Sequence, residues 1–254
     1  MRFLITSFAL ALTASAAYAA DAIVMEDVAV VAPDTFSWTG GYIGVNAGFA
    51  GGKFKSDIDN FGQYLLDGSY EHNTSGFVGG VQVGYNWQLN NGWVIGAEAD
   101  FQGATLKSKN SISSDYGFYN ETSEIKTKVD WFGTVRARVG YTPTERLLVY
   151  GTGGLAYGKV KTSYNWKYNS GGENIFDEGF STSKTKAGWT VGAGAEYAIT
   201  SNWTLKSEYL YTDLGKANTQ ATYQDYVGGG YGSTGDVSSN VKFHTVRLGL
   251  NYKF

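Results

Sequence analysis

Between Phe77 and Leu89 the odd positions read Phe77, Gly79, Val81, Val83, Tyr85, Trp87 and Leu89, while the even ones read Val78, Gly80, Gln82, Gly84, Asn86 and Gln88. One side is greasy and the other small or polar, the period-two pattern of a strand with a single apolar face. Asn90-Asn91-Gly92 follows, and its Asn-Gly supplies the positive φ that a tight hairpin needs. The alternation then resumes with Trp93, Ile95, Ala97, Ala99 and Phe101 against Gly96, Glu98, Asp100 and Gln102. The same rhythm recurs in Ile43 to Phe49, Val129 to Tyr141, Trp189 to Ile199, Trp203 to Tyr211 and Val246 to Phe254. Leu147 to Lys161 reads as a further strand whose facing is blurred by Gly151, Gly153, Gly154 and Gly158. Eight strands are expected.

The connections alternate in length. Three are short (Asn90 to Gly92, Thr142 to Arg146 with Pro143 ending the strand before it, Thr200 to Asn202), and four are long and polar (near Lys55 to Asn73, Lys107 to Ile125, Thr162 to Ser183, Lys216 to Asn240). An even number of antiparallel strands with short turns at one end and long loops at the other is the arrangement of an outer-membrane barrel, its short turns in the periplasm. A transmembrane helix needs roughly 20 apolar residues in succession, and no later segment supplies them. A transmembrane strand needs only about ten residues, every second one apolar.

Arg2, the apolar run Phe3 to Ala14 and the small residues ending in Ala17-Tyr18-Ala19 have the three-part layout of a signal peptide cleaved after Ala19. Residues 1–19 are therefore expected to direct Sec-type export, residues 20–37 to form a periplasmic tail, and residues 38–254 to form the barrel. With 0 cysteines the chain has neither disulfides nor a cysteine nucleophile. A net charge of -3 argues against a nucleic-acid partner.

The aromatics, 16% of the chain, fall in two groups on the greasy face. Trp87, Trp93, Tyr141, Tyr197, Trp203 and Tyr252 lie near the short turns or the C-terminus, whereas Phe101, Trp131 and Trp189, with Phe49 and Tyr211, lie nearer the long loops. Two belts of this kind mark the two lipid–water boundaries of a membrane protein. Turning the faces inside out would give a soluble sandwich or lipocalin-like barrel with the rings in its core. With the greasy face toward lipid, the lumen receives Glu98, Asp100, Asp130, Glu196 and Glu208 together with Arg136, Arg138, Lys206, Arg247 and Lys253. Eight strands leave room only for side chains, and an unpaired charge there is costly. The balance of five acids and five bases is therefore expected to form a salt-bridge network that plugs the barrel.

Neither His72, in the first long loop, nor His244, facing outward near the last, has an evident Ser or Asp partner at a spacing that would bring nucleophile and base together, so no catalytic residue is assigned and no enzyme is expected. The long loops carry many tyrosines, among them Tyr64, Tyr70, Tyr116, Tyr164, Tyr168 and Tyr223, with Trp166 and His72. Tyr and His can ligate haem iron, which leaves haemin as the one cofactor open on the residues, with no metal site assigned.

The segments Phe36 to Phe54 (FSWTGGYIGVNAGFAGGKF), Phe77 to Gly103, Trp131 to Gly158 (WFGTVRARVGYTPTERLLVYGTGGLAYG), Ala187 to Gly215 and Phe243 to Phe254 (FHTVRLGLNYKF) resemble the outer-membrane immunogenic protein (porin) family of alphaproteobacteria, the Brucella- and Bartonella-type surface antigens. The resemblance implies an all-β fold: an eight-stranded antiparallel transmembrane β-barrel, OmpA-like, in the outer membrane of a Gram-negative cell. It also implies an abundant surface antigen with, in some members, haemin binding. Phe254, preceded by Tyr252, Leu250 and Leu248, resembles the terminal-strand signal read by the barrel assembly machinery. The implied partners are outer-membrane lipid, lipopolysaccharide and host factors at the loops. The leading expectation is a plugged surface barrel that supports envelope integrity; a porin-like small-solute channel or a haemin-binding protein stands as the alternative.

Overall fold

The computed structural model describes residues 35–59, 68–115, 117–224 and 232–254. Their elements are eight strands: β1 (Gly40–Asp59), β2 (Gly68–Gln88), β3 (Trp93–Asp115), β4 (Tyr119–Thr144), β5 (Leu147–Ser170), β6 (Glu173–Ala198), β7 (Trp203–Gln224) and β8 (Gly232–Lys253). Each pairs antiparallel with the next, and β8 returns to β1 to close the barrel. Closure leaves no unpaired edge, a condition that any sheet must meet inside hydrocarbon. The compact unit begins at Thr35, three residues before the expected start of the barrel domain. The expected signal peptide, residues 1–19, and tail residues 20–34 lie outside the described residues.

Alternation sorts the side chains as the sequence pattern requires. Val45, Val83, Val135, Leu155, Val191 and Leu248 point outward and are exposed, while Asn46, Gln82, Arg136, Thr190 and Arg247 point inward and are buried. An apolar face around the whole circumference is far larger than a water-soluble monomer exposes. On β5, Leu148, Tyr150, Ala156 and Val160 face in and Val149, Leu155 and Tyr157 face out, which resolves the facing that the glycines obscured.

Two expectations about the connections are corrected. The long polar segments are mostly strand, not loop: β3 and β4 stay paired up to Asp115↔Asn120, and β5 and β6 up to Ser170↔Glu173. Much of these stretches is polar or charged, and backbone pairing requires no apolar face. Strands of 20 to 26 residues thus outrun the roughly ten that a bilayer needs and continue as paired ribbons. Pro143 does not end its strand either; β4 continues to Thr144 past a register shift between Tyr141 and Thr144, a place where a residue without an N–H is tolerated.

A second register shift, between Val129 and Trp131 on β4, has a larger effect. It inserts Asp130 as an extra residue, so odd positions face inward before it (Thr127, Val129) and even ones after it (Phe132, Thr134, Arg136). Asp130 itself is exposed and is not a lumen residue, contrary to the parity count.

Candidate functional site: the closed interior

The interior is built in three layers. The middle one is ionic, assembled from residues that are far apart in sequence but adjacent across the bore. Arg136 on β4 donates from Nη2 to Glu98 Oε1 and to Asp100 Oδ2 (3.0 Å), from Nη1 to Glu208 Oε1 (3.1 Å) and from Nε to Thr134 Oγ1 (2.9 Å). Arg247 on β8 donates from Nη2 to Asp100 Oδ2 (2.9 Å) and from both Nε (2.8 Å) and Nη2 (2.6 Å) to Glu208 Oε2. Lys206 Nζ reaches both oxygens of Glu98, at 2.9 and 2.8 Å. Arg138 donates to Glu196 Oε2 (2.8 Å) and to the Tyr42 hydroxyl (2.9 Å), with its guanidinium 4.0 Å above the centre of the Tyr150 ring.

Neutral groups complete the layer. The Tyr42 hydroxyl donates to Glu98 Oε2 (2.7 Å), that of Tyr150 to Glu208 Oε1 (2.9 Å), and Thr204 and Asn251 to Glu196 Oε1 (2.6 and 2.7 Å). Asn46 donates to Gln82 (2.7 Å), which donates onward to Asn251. All eight strands contribute. Four carboxylates (Glu98, Asp100, Glu196, Glu208) face four cations (Arg136, Arg138, Lys206, Arg247), so this layer is neutral; Lys186 on β6, opposite Gly158 in register, is a further buried cation outside it. Lys253 is not part of it: it is half-buried at the short-turn rim, its ammonium 5.7 Å from the centre of the Phe36 ring.

The outer two layers are apolar and were not expected. Toward the long ribbons, Phe54, Leu106, Val129, Phe132, Val160 and Phe243 pack with their neighbours into one cluster, the rings of Phe132 and Phe243 meeting edge-on at 5.1 Å. Toward the short turns, Trp38 packs with Val94, Leu148, Tyr150 and Ala198, and Phe36 lies against it at 4.9 Å. Trp38 is pinned by Gln88 Oε1, which accepts from its backbone N–H (2.8 Å), and by the Glu145 carbonyl, which accepts from its indole N–H (3.1 Å). Val78, Val94 and Leu106 all sit on the face that reads as polar in the alternation, while Leu148 lies on β5, whose facing was blurred; a face that turns greasy at both ends was the available signal. On β4 the bulge concealed it.

Glycines make room for the two buried tyrosine rings. A Cβ on Gly84 would overlap the Tyr42 ring, and one on Gly194 would lie 2.6 Å from the Tyr150 hydroxyl. Gly84→Ala is expected to cost about 1–3 kcal/mol, the usual penalty for forcing atoms into a packed interior. Urea unfolding of the refolded protein measures it, and Gly79→Ala, on the roomy outer face with its nearest neighbour at 3.5 Å, should stay near wild type.

Outside, the rings form cross-strand pairs at two levels. Trp93–Tyr141 (5.7 Å) and Trp203–Tyr252 (5.2 Å) lie near the short turns, where Trp87 packs on Tyr85 of its own strand (4.6 Å) and Tyr197 is also exposed. Phe49–Phe77 (4.4 Å), Phe101–Trp131 (5.4 Å) and Trp189–Tyr211 (5.4 Å) lie nearer the ribbons. Phe254 donates its backbone N–H to the Gly41 carbonyl (3.0 Å), and its ring contacts Tyr252. His244 faces outward with Nδ1 2.6 Å from the Tyr209 hydroxyl. His72 lies on β2 opposite Phe54 in register. Its side chain and those of Tyr70, Tyr164, Trp166, Tyr168 and Tyr223, like residues Tyr64 and Tyr116, fall outside the described residues, and with them the haemin expectation.

Residues 6–254 match the family model described as outer membrane protein beta-barrel domain. The chain is 54% identical over 259 residues to the 31 kDa outer-membrane immunogenic protein of Brucella melitensis, with both chains covered in full. It is 35% identical to the 22 kDa outer membrane protein of Rhizobium leguminosarum bv. viciae, over 86% of this chain and 79% of that one. Among solved structures, OprG of Pseudomonas aeruginosa aligns with a TM-score of 0.46 at 16% identity, over 87% of this chain and 99% of that one. A greasy exterior on a closed eight-stranded ring, together with full-length identity to named outer-membrane proteins, establishes that this chain belongs to the outer-membrane β-barrel family and crosses the outer membrane with its strands.

Proposed function

We propose that this protein is a closed structural barrel that displays its ribbons at the cell surface, a non-catalytic surface antigen of the envelope and not a solute channel. The observation that carries this reading is the interior: a neutral, cross-paired ionic layer with an apolar cluster on either side. An ion entering from either end would have to shed its water against Phe132 and Phe243 or against Trp38. It would then have to displace charges already paired with one another, and hydrophobic constrictions of this kind close a pore by dewetting. The lumen carboxylates that could serve as bases are committed to Arg and Lys partners. The name of the Brucella relative supports the surface-antigen reading.

Recording of the refolded protein in planar bilayers tests the closure. No reproducible single-channel steps are expected, and steps of nanosiemens size in the wild type would replace this reading with the porin-like one.

A further inference from the structure

On the outward face above the Phe101, Trp131 and Tyr157 rings, Lys107, Lys128 and Lys161 lie side by side in register across β3, β4 and β5. Directly opposed residues on one face of a sheet hold their Cβ atoms about 5 Å apart, and like charges so placed are destabilising. Acids on this face do not relieve the row. Glu124 is engaged by Lys109 (3.5 Å) and by Lys126, whose hydrogen bond does most to hold that carboxyl below its usual range. Asp130, projected by the bulge, and the three lysines of the row make no ion pair among the described residues.

We infer that this lysine row is a docking site for the phosphates of a multiply acylated, phosphorylated glycolipid of the outer leaflet, with the chemistry of lipid A. Two features select this occupant. Three adjacent ammonium groups left uncompensated on the protein ask for a compact, multiply charged anion. Toward the membrane, past outward Thr105 and Gly103 on β3 and Lys159 on β5, Phe101 stacks on Trp131 (5.4 Å) and Trp131 meets Tyr157 edge-on (6.2 Å), continuous with the apolar exterior. A phosphate held by the row therefore carries its acyl chains down the hydrocarbon-facing wall, which no water-soluble phosphate could use. The inference rests only on the outer-membrane location, so it stands or falls independently of whether the lumen conducts.

Native mass spectrometry of the detergent-solubilised barrel with diphosphorylated lipid A, monophosphorylated lipid A and phosphatidylcholine tests it. Diphosphorylated lipid A is expected to bind most tightly. The triple variant Lys107→Gln, Lys128→Gln, Lys161→Gln should weaken it about tenfold or more, since each lysine near an anionic surface contributes substantially. Removing two outward charges from β1, with Lys53→Gln and Lys55→Gln, should change it by less than about twofold, and the double variant Lys107→Gln, Lys128→Gln, matched to it in charge, by clearly more. Equal losses in the two double variants, equal binding of the three lipids, or complete displacement by inorganic pyrophosphate at matched concentration would overturn the assignment. Without lipid A, the triple variant should unfold at the same or a higher urea concentration, because a repulsion has been removed. A lower midpoint would show that the row serves the fold instead.

Discussion

Replacement of Arg136 by alanine is expected to lower the unfolding free energy of the refolded barrel by about 3–5 kcal/mol, the range for removing one partner from a buried ion pair. Arg136 bridges Glu98, Asp100 and Glu208, and although Arg247 and Lys206 also touch them, its loss leaves four carboxylates facing three cations between two apolar clusters. Arg136→Lys keeps the charge but not the fork that reaches β3 and β7 at once, and should fall between wild type and alanine. Urea titration in detergent or lipid vesicles, followed by tryptophan fluorescence, gives the numbers. A change below about 1 kcal/mol for Arg136→Ala, the range of a solvent-screened pair, would mean that water reaches the layer and that the barrel is not plugged.

Val135→Arg is the second large effect, at about 2–4 kcal/mol, because Val135 lies outward and midway along β4 between Trp131 and Tyr141, where a transmembrane barrel meets the middle of the bilayer. Ile199→Arg, also outward but at a short turn, should cost only about 0–1 kcal/mol, since the penalty falls toward the interface. Depth dependence is the point of the pair. If both substitutions stayed within about 0.5 kcal/mol, as at a water-exposed surface, the outward face would not be lipid-facing.

Strand number, antiparallel order and the direction of most side chains were legible because a single physical requirement, an apolar exterior, acts on every second residue. Glu98, Arg136, Glu208 and Arg247 could be assigned to the interior for the same reason. Asp130 could not, since a bulge moves residues between faces without leaving a mark in composition. Lys253 has inward parity but sits at the rim, where direction no longer decides burial. The plugs of Phe132, Leu106 and Trp38 were hidden because greasy residues on the minority face read as noise until both ends of several strands are seen together. The ribbon segments were read as loops because hydrogen bonding between backbones leaves no signature in side-chain polarity.

Those ribbons change what a surface determinant on this molecule consists of. Along β3, β4 and β5, residues as remote in the chain as Lys109, Lys126 and Ser163 are immediate lateral neighbours. A patch the width of an antibody footprint is therefore written across strands, and a short peptide copied from any one of them reproduces a single thread of the weave. Sera selected on such peptides should recognise the unfolded chain far better than the intact cell.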